Sequence, residues 1–156
     1  MSAQGIRGFY QLTETIKDQL LNDININTVT TGDITEIDLS KQTIFPLSHI
    51  IVNSVTTQET VLSFNITIMC MDIVDINKDE TNDIFRGNNN EHDVLNSQLA
   101  VCNRLVNRLR GGSLYRTKYQ LNGDPTCEPF YERFENQLAG WACTMDIFIE
   151  NDISVC

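Results

Sequence analysis

Nine residues constrain this chain more than any others. From Leu62 to Ile68, apolar and polar side chains alternate, and Cys70 continues the apolar face past Met69. Leu62, Phe64, Ile66, Ile68 and Cys70 fall on one face, and Ser63, Asn65 and Thr67 on the other. A period of two over this length describes a half-buried antiparallel strand, with one face on a core and the other toward water. At about 25 cal/mol per Å² of apolar surface removed from water, that core face contributes several kcal/mol. The rest of the chain must supply something to cover it.

Two helices are available for that purpose. In the first, Phe9, Leu12, Ile16 and Leu20 recur at steps of three and four, with Gln11, Glu14, Lys17 and Asp18 between them. Asn22, Asp23, Asn25 and Asn27 then end it. The second is expected from about Asp93, with Leu95, Leu99, Cys102, Val106 and Leu109 as its stripe and Val94, Val101 and Leu105 widening it. Gly111-Gly112 stops it.

Around these helices lie further strand signals. Thr28 to Asp38 reads as a short strand or hairpin arm. Pro46 marks an edge or a loop leading into a strand from Ser48 to Thr56. Leu114 to Leu121 reads as a strand, Asn122-Gly123-Asp124-Pro125 as a turn, and Leu138 to Ile149 as a final alternating strand carrying Trp141, Cys143, Met145, Ile147 and Ile149 on one face. The expected fold is α+β: an antiparallel sheet with two amphipathic helices on one face, a single domain spanning residues 1–156.

Composition agrees with one packed domain. The chain has 156 residues, 41% hydrophobic and 21% charged, with three prolines, which excludes a disordered tail, a collagen-like rod and a disulfide miniprotein. No apolar run approaches the roughly 18–20 residues of a membrane helix. The start, Met1-Ser2-Ala3-Gln4-Gly5, carries no secretory pattern. A soluble, cytoplasmic protein without a membrane partner is therefore expected.

The charge is uneven. Eleven bases stand against 21 acids, a net −10, which repels phosphate backbones. Residues 72–93, read as a long acidic loop, carry seven acids, among them Asp75, Asp79, Glu80 and Asp83. A loop of this length in a compact domain is usually functional or mobile, and its charge reads as that of a solvated, electrostatically expanded loop. Asp75, Asn77 and Asp79 imitate positions one, three and five of a calcium loop, but Glu80 and Arg86 occupy the positions where such a loop needs Gly and Glu. Specific calcium binding is not expected.

Residues 94–123 carry five bases and no acid. Arg104 and Arg108 lie one helical turn apart, with Arg110 beside them. Three readings stand: a phosphate-tracking patch, arginines that complement the helix dipole and pair with nearby acids, or a face that mates with an acidic face of another copy. The segment 125–136 interleaves Phe130, Tyr131 and Phe134 with acids and Arg133. It is either an interaction surface or a short helix or turn tucking Phe130 and Phe134 into the core.

No catalytic signature is present: no GxSxG, HExxH, P-loop or GxGxxG pattern. His49 and His92 read as structural. The five cysteines, Cys70, Cys102, Cys127, Cys143 and Cys156, show no zinc-ligand spacing and read as free, reduced, mostly buried thiols. A Cys–His hydrolase would need a reactive thiol at Cys102 or Cys127. No enzyme activity and no cofactor is expected.

Several stretches nonetheless form a familiar pattern. They are Phe45-Pro46-Leu47-Ser48-His49-Ile50-Ile51-Val52-Asn53, Phe64 to Asp75, Asp93-Val94-Leu95-Asn96-Ser97-Gln98-Leu99-Ala100, the 125–136 segment, and Leu138-Ala139-Gly140-Trp141 leading to Asn151-Asp152. In these the chain resembles the small tail-terminator or tail-completion proteins of long-tailed bacteriophages. The resemblance spans most of residues 44–152 and rests on overall pattern, with no site motif to transfer.

It implies a helix-over-antiparallel-sheet fold assembled as a homo-hexameric ring in the virion after synthesis in the host cytoplasm. The ring caps the tail tube, stops its polymerisation and offers a surface to the head-tail connector protein, while DNA passes through without specific binding. Contact candidates are Arg104, Arg108, Arg110, Asp75, Asp79, Glu80, Asp83, Phe130, Tyr131 and Arg133. The alternatives are a neck connector of the same virion and, in a different class, a host-directed nucleic-acid-binding module.

Overall fold

The computed structural model describes residues 4–33, 42–59, 61–74, 90–111, 119–133 and 138–150. Most of the acidic loop (75–89) and the strand expected before Tyr119 lie outside the described residues, as do the continuation of the first strand past Asp33 and residues 134–137. The elements run α1 (Gln4–Leu21), β1 (Thr28–Thr31), a short 3-10 turn (Gln42–Ile44), β2 (Leu47–Thr57), β3 (Val61–Ile73), α2 (Glu91–Gly111), β4 (Tyr119–Arg133) and β5 (Leu138–Glu150). The strands form one sheet in the order β1-β2-β3-β5-β4. Both helices pack on one face of it, so the class is α+β.

The alternation in β3 places the core. Leu62, Phe64, Ile66, Ile68 and Cys70 are buried and pack with Leu12, Ile16 and Leu20 of α1 and with Val101, Cys102, Leu105, Val106 and Leu109 of α2. Antiparallel neighbours on both sides continue the face. β5 pairs with β3 residue for residue from Leu138↔Ile73 to Glu150↔Val61 and adds Cys143, Met145, Ile147 and Ile149 to the core. Gly140 is demanded by this pairing: a Cβ there would overlap the Cys70 carbonyl oxygen and come within 2.8 Å of Met71 Cα. A smaller apolar cluster, Phe45, Leu47, Met69, Met71, Phe130 and Leu138, packs on the opposite face at one end of the sheet.

Four expectations are corrected. The sheet is mixed, because β1 runs parallel to β2, from Thr28↔Leu47 to Thr31↔Ile50. Gly32, at φ +103°, ends β1 where a hairpin would have reversed it. The Pro46 carbonyl then accepts the Asn27 and Thr28 amides (2.8 and 3.2 Å), aligning the two strand starts.

Second, Asn122-Gly123-Asp124-Pro125 is not a turn between elements. It is a register shift inside the 15-residue β4, with Gly123 at φ +72°. Turn residues and bulge residues share the same need for left-handed backbone. Third, residues 125–133 are strand and not a short helix.

Fourth, the buried stripe of α2 is rotated from the expected one. It runs Val94, Gln98, Val101, Cys102, Leu105, Val106 and Leu109, with Leu95 only partly buried and Leu99 exposed. Gln98 is 1% exposed and holds a position that apolar counting passes over. In α1 Leu12, Ile16 and Leu20 are buried as expected, whereas Phe9 is 44% exposed.

Candidate functional site

The sheet face without helices is where the fold leaves side chains available. Toward the β2–β3 turn that face is polar, and its groups are knitted across three strands. The β2 ladder slips at Asn53, which lies between Val52↔Ile66 and Ser54↔Asn65. A bulge re-aims the extra residue's side chain. Asn53 Nδ2 donates to Asn65 Oδ1 (2.9 Å) and to Thr67 Oγ1 (2.8 Å). Asn65 Nδ2 donates in turn to Asp146 Oδ1 (2.8 Å), and Thr67 and Thr144 share a hydroxyl pair at 3.2 Å. The result is a shape-defined patch of amides, hydroxyls and one carboxylate. Sequence alternation had put Asn65, Thr67, Thr144 and Asp146 on the outward faces, but nothing in it marked them as one network.

The two sheet edges differ. At one, α1 lies beside β1 and exposes Phe9 and Tyr10, an edge-to-face pair with ring centroids 6.0 Å apart. The groove beside them is lined by Thr13, Lys17, Val29 and Thr31. At the other edge is β4. Its middle is protected from indiscriminate strand pairing by the Gly123 bulge and by Pro125 and Pro129, which have no amide to donate. Phe130 is buried (3%) opposite Gly140, while Tyr131 is 51% exposed. Arg133 pairs in register with Leu138. Of the three expected contact residues in this segment, one is therefore core, one surface and one at the strand's end.

The arginines of α2 are engaged within the chain. Arg104 makes a bidentate pair with Asp23, Nε–Oδ2 and Nη2–Oδ1 both at 2.7 Å. Arg108 Nη1 donates to Gln19 Oε1 (2.6 Å), and Arg110 Nη2 reaches Asp124 Oδ1 at 3.3 Å in full solvent. The first two tie the end of α1 to α2; the third ties α2 to the bulge of β4. Asp23 is nearly closed off, its side chain 6% exposed. Burial pushes its carboxyl up, but the Arg104 guanidinium and the Asn25 amide together hold it below the ordinary aspartate value. Asp75, Asp79, Glu80 and Asp83 lie outside the described residues.

The two histidines differ in setting. His49 is fully buried: Nε2 faces the Gly32 carbonyl at 2.7 Å and so carries the proton, while Nδ1 accepts from the Thr30 hydroxyl at 2.7 Å. Burial lowers its pKa. It is a structural histidine joining β1 to β2. His92 is exposed at the start of α2. Four cysteines converge beneath α2, and the groups that perturb Cys102, Cys127 and Cys143 are other thiols, not a histidine. Among the described residues no cluster of three or more His, Cys, Asp or Glu side chains is arranged around a metal position, and no helix is long and apolar enough to cross a membrane.

No model of a known protein family matches the chain, and no curated protein sequence matches it.

Proposed function

We propose that this chain is a bacteriophage virion structural protein that caps the tail tube as a ring, stops tube polymerisation and provides the joining surface for the head connector. The observation that carries this reading is the pair of unlike sheet edges. Exposed Phe9 and Tyr10 stand beside β1, and exposed Tyr131 stands on β4 at the far side of the same sheet. Aromatic residues are favoured at protein interfaces. Two different patches on opposite sides of one subunit make a head-to-tail contact, and such a contact closes into a ring when its rotation allows. A homo-hexamer is the ring that the resemblance implies, and a net charge of −10 suits a lumen through which DNA slides without sticking.

The engagement of Arg104 and Arg108 within the chain works against the nucleic-acid-binding alternative, because Arg104 Nε and Nη2 and Arg108 Nη1 are already committed to Asp23 and Gln19. Those two arginines stay contact candidates in the ring only through their remaining exposed edges.

Sedimentation of the purified chain tests the proposal. The wild type is expected to sediment as a ring. Tyr131→Ser, or Phe9→Ser with Tyr10→Ser, is expected to give folded monomers. A wild type that stays monomeric at tens of micromolar, alone and with tube protein, contradicts the ring.

A further inference from the structure

Four cysteines from four elements meet under α2: Cys70 on β3, Cys102 on α2, Cys127 on β4 and Cys143 on β5. Two of them are a matched pair. Cys127 and Cys143 are opposite residues in the β4–β5 register, and their sulfurs lie 2.9 Å apart. Directly opposed antiparallel residues have Cα atoms about 4.5–5.5 Å apart, inside the range of about 4.4–6.8 Å that a disulfide spans. Closing from 2.9 Å to the S–S bond length of about 2.05 Å needs less than 1 Å of sulfur movement. Two thiolates on one tetrahedral zinc, with Zn–S near 2.3 Å, would sit about 3.8 Å apart. The pair is spaced for covalent chemistry between the sulfurs.

Access is one-sided. Cys70, Cys102 and Cys143 are buried, whereas Cys127 is half-buried and lies on the wall of a cleft of about 370 Å³ between α2 and β4. Leu99, Ala100, Val106 and Pro125 give that cleft apolar walls, and Asn96, Asn103 and Arg110 add amide and cationic groups, with the solvent-exposed Arg110–Asp124 pair at 3.3 Å open to exchange for a small acidic ligand.

We propose that Cys127 and Cys143 form a thiol–disulfide exchange site for a small acidic disulfide, with Cys127 as the attacking sulfur and Cys143 as the resolving one. The Cys127 thiolate forms a bond to one sulfur of R–S–S–R, the old S–S bond breaks, and RS⁻ leaves and takes a proton from water. Cys143 then attacks Cys127 Sγ in the mixed disulfide. Its proton leaves with the second RS⁻, so two protein thiols are oxidised by two electrons while one small disulfide is reduced to two thiols. The product staples edge strand β4 to β5, and the inference does not depend on the proposed virion role. The acidities are ordered to match. Hydrogen bonding among the neighbouring thiols draws the Cys127 thiol down against the effect of burial, while hydrogen bonding and burial push the Cys102 thiol up.

The test uses the full chain carrying Cys156→Ser, leaving the other four cysteines. It is incubated natively with oxidised glutathione, quenched with an alkylating agent and mapped by peptide mass spectrometry. A Cys127–Cys143 cross-link is expected, with Cys70 and Cys102 recovered as alkylated thiols after denaturation. With Cys143→Ser added, glutathione is expected to remain on Cys127. Cys127 is also expected to react with iodoacetamide at pH 7 roughly tenfold faster or more than Cys102. A chain that takes up no glutathione and forms no cross-link overturns the proposal, as does a cross-link joining Cys102 or Cys70 instead. Should Cys143→Ser fail to fold, Cys127→Ser decides: it must abolish both products.

Discussion

Asp23 and Arg104 show how one buried group sets the worth of a pair. The aspartate is closed off, while the arginine side chain keeps 43% of its surface. Removing either partner breaks the same two hydrogen bonds but strands different groups. Arg104→Ala leaves a buried carboxylate to the Asn25 amide and is expected to cost about 2–3 kcal/mol at pH 7. Asp23→Ala leaves an arginine that turns to water and is expected to cost about 1 kcal/mol. Because the native Asp23 pKa lies below 3.8, the pair's contribution is full above that value and is lost as pH falls through the native one. Urea unfolding of both variants at pH 7 and through a series of pH values below 3.8 checks the asymmetry and its progressive loss. His49 acts in a separate window. Its native pKa lies below 6.5, so below 6.5 the unfolded chain binds a proton that the native state resists. Stability is expected to be full above pH 6.5 and to fall as pH drops from there through the depressed native value. His49→Gln is expected to flatten that portion of a stability–pH curve.

At the scale of elements, β5 depends on the absence of a side chain. Gly140→Ala forces the β3 and β5 backbones apart beside Cys70 and is expected to cost about 3 kcal/mol or more, read as a lowered denaturation midpoint or loss of folded protein. Such a requirement is invisible to periodicity, which treats Gly140 as one more small residue. What periodicity reads well is a face that a single element exposes by itself. β3 and β5 alternate cleanly, and both helices carry apolar steps, so their existence and burial were legible. What it reads poorly depends on partners distant in the chain. The parallel pairing of β1 is decided by where the chain re-enters at Pro46. The β4 bulge uses residues that equally make a turn. Gln98 sits in the α2 stripe because the helix's rotation is set by the sheet beneath it. The site was legible to the same degree. Tyr131 stands exposed as an interaction surface would require, Phe130 is core, and the Asn53–Asn65–Asp146 network needed a bulge to assemble it.

The whole molecule joins a helix-covered sheet face, an opposite face that is polar toward the β2–β3 turn and apolar and buried at its other end, and two unlike edges in a chain of strong net negative charge. Segregated charge is used partly within the chain, where α2 arginines fasten α1 and the β4 bulge, so the proposed assembly has to draw on surfaces that folding leaves over. Those are the exposed aromatics of the edges and the polar network. The most direct test of the proposed tail-terminator role is deletion of the gene from the phage to which the proposal assigns it, with the particles imaged by electron microscopy. Tubes of uncontrolled length beside full, tailless heads are the predicted result. Tails of normal length that fail to join heads would move the protein to the neck, and intact infectious particles would contradict the account.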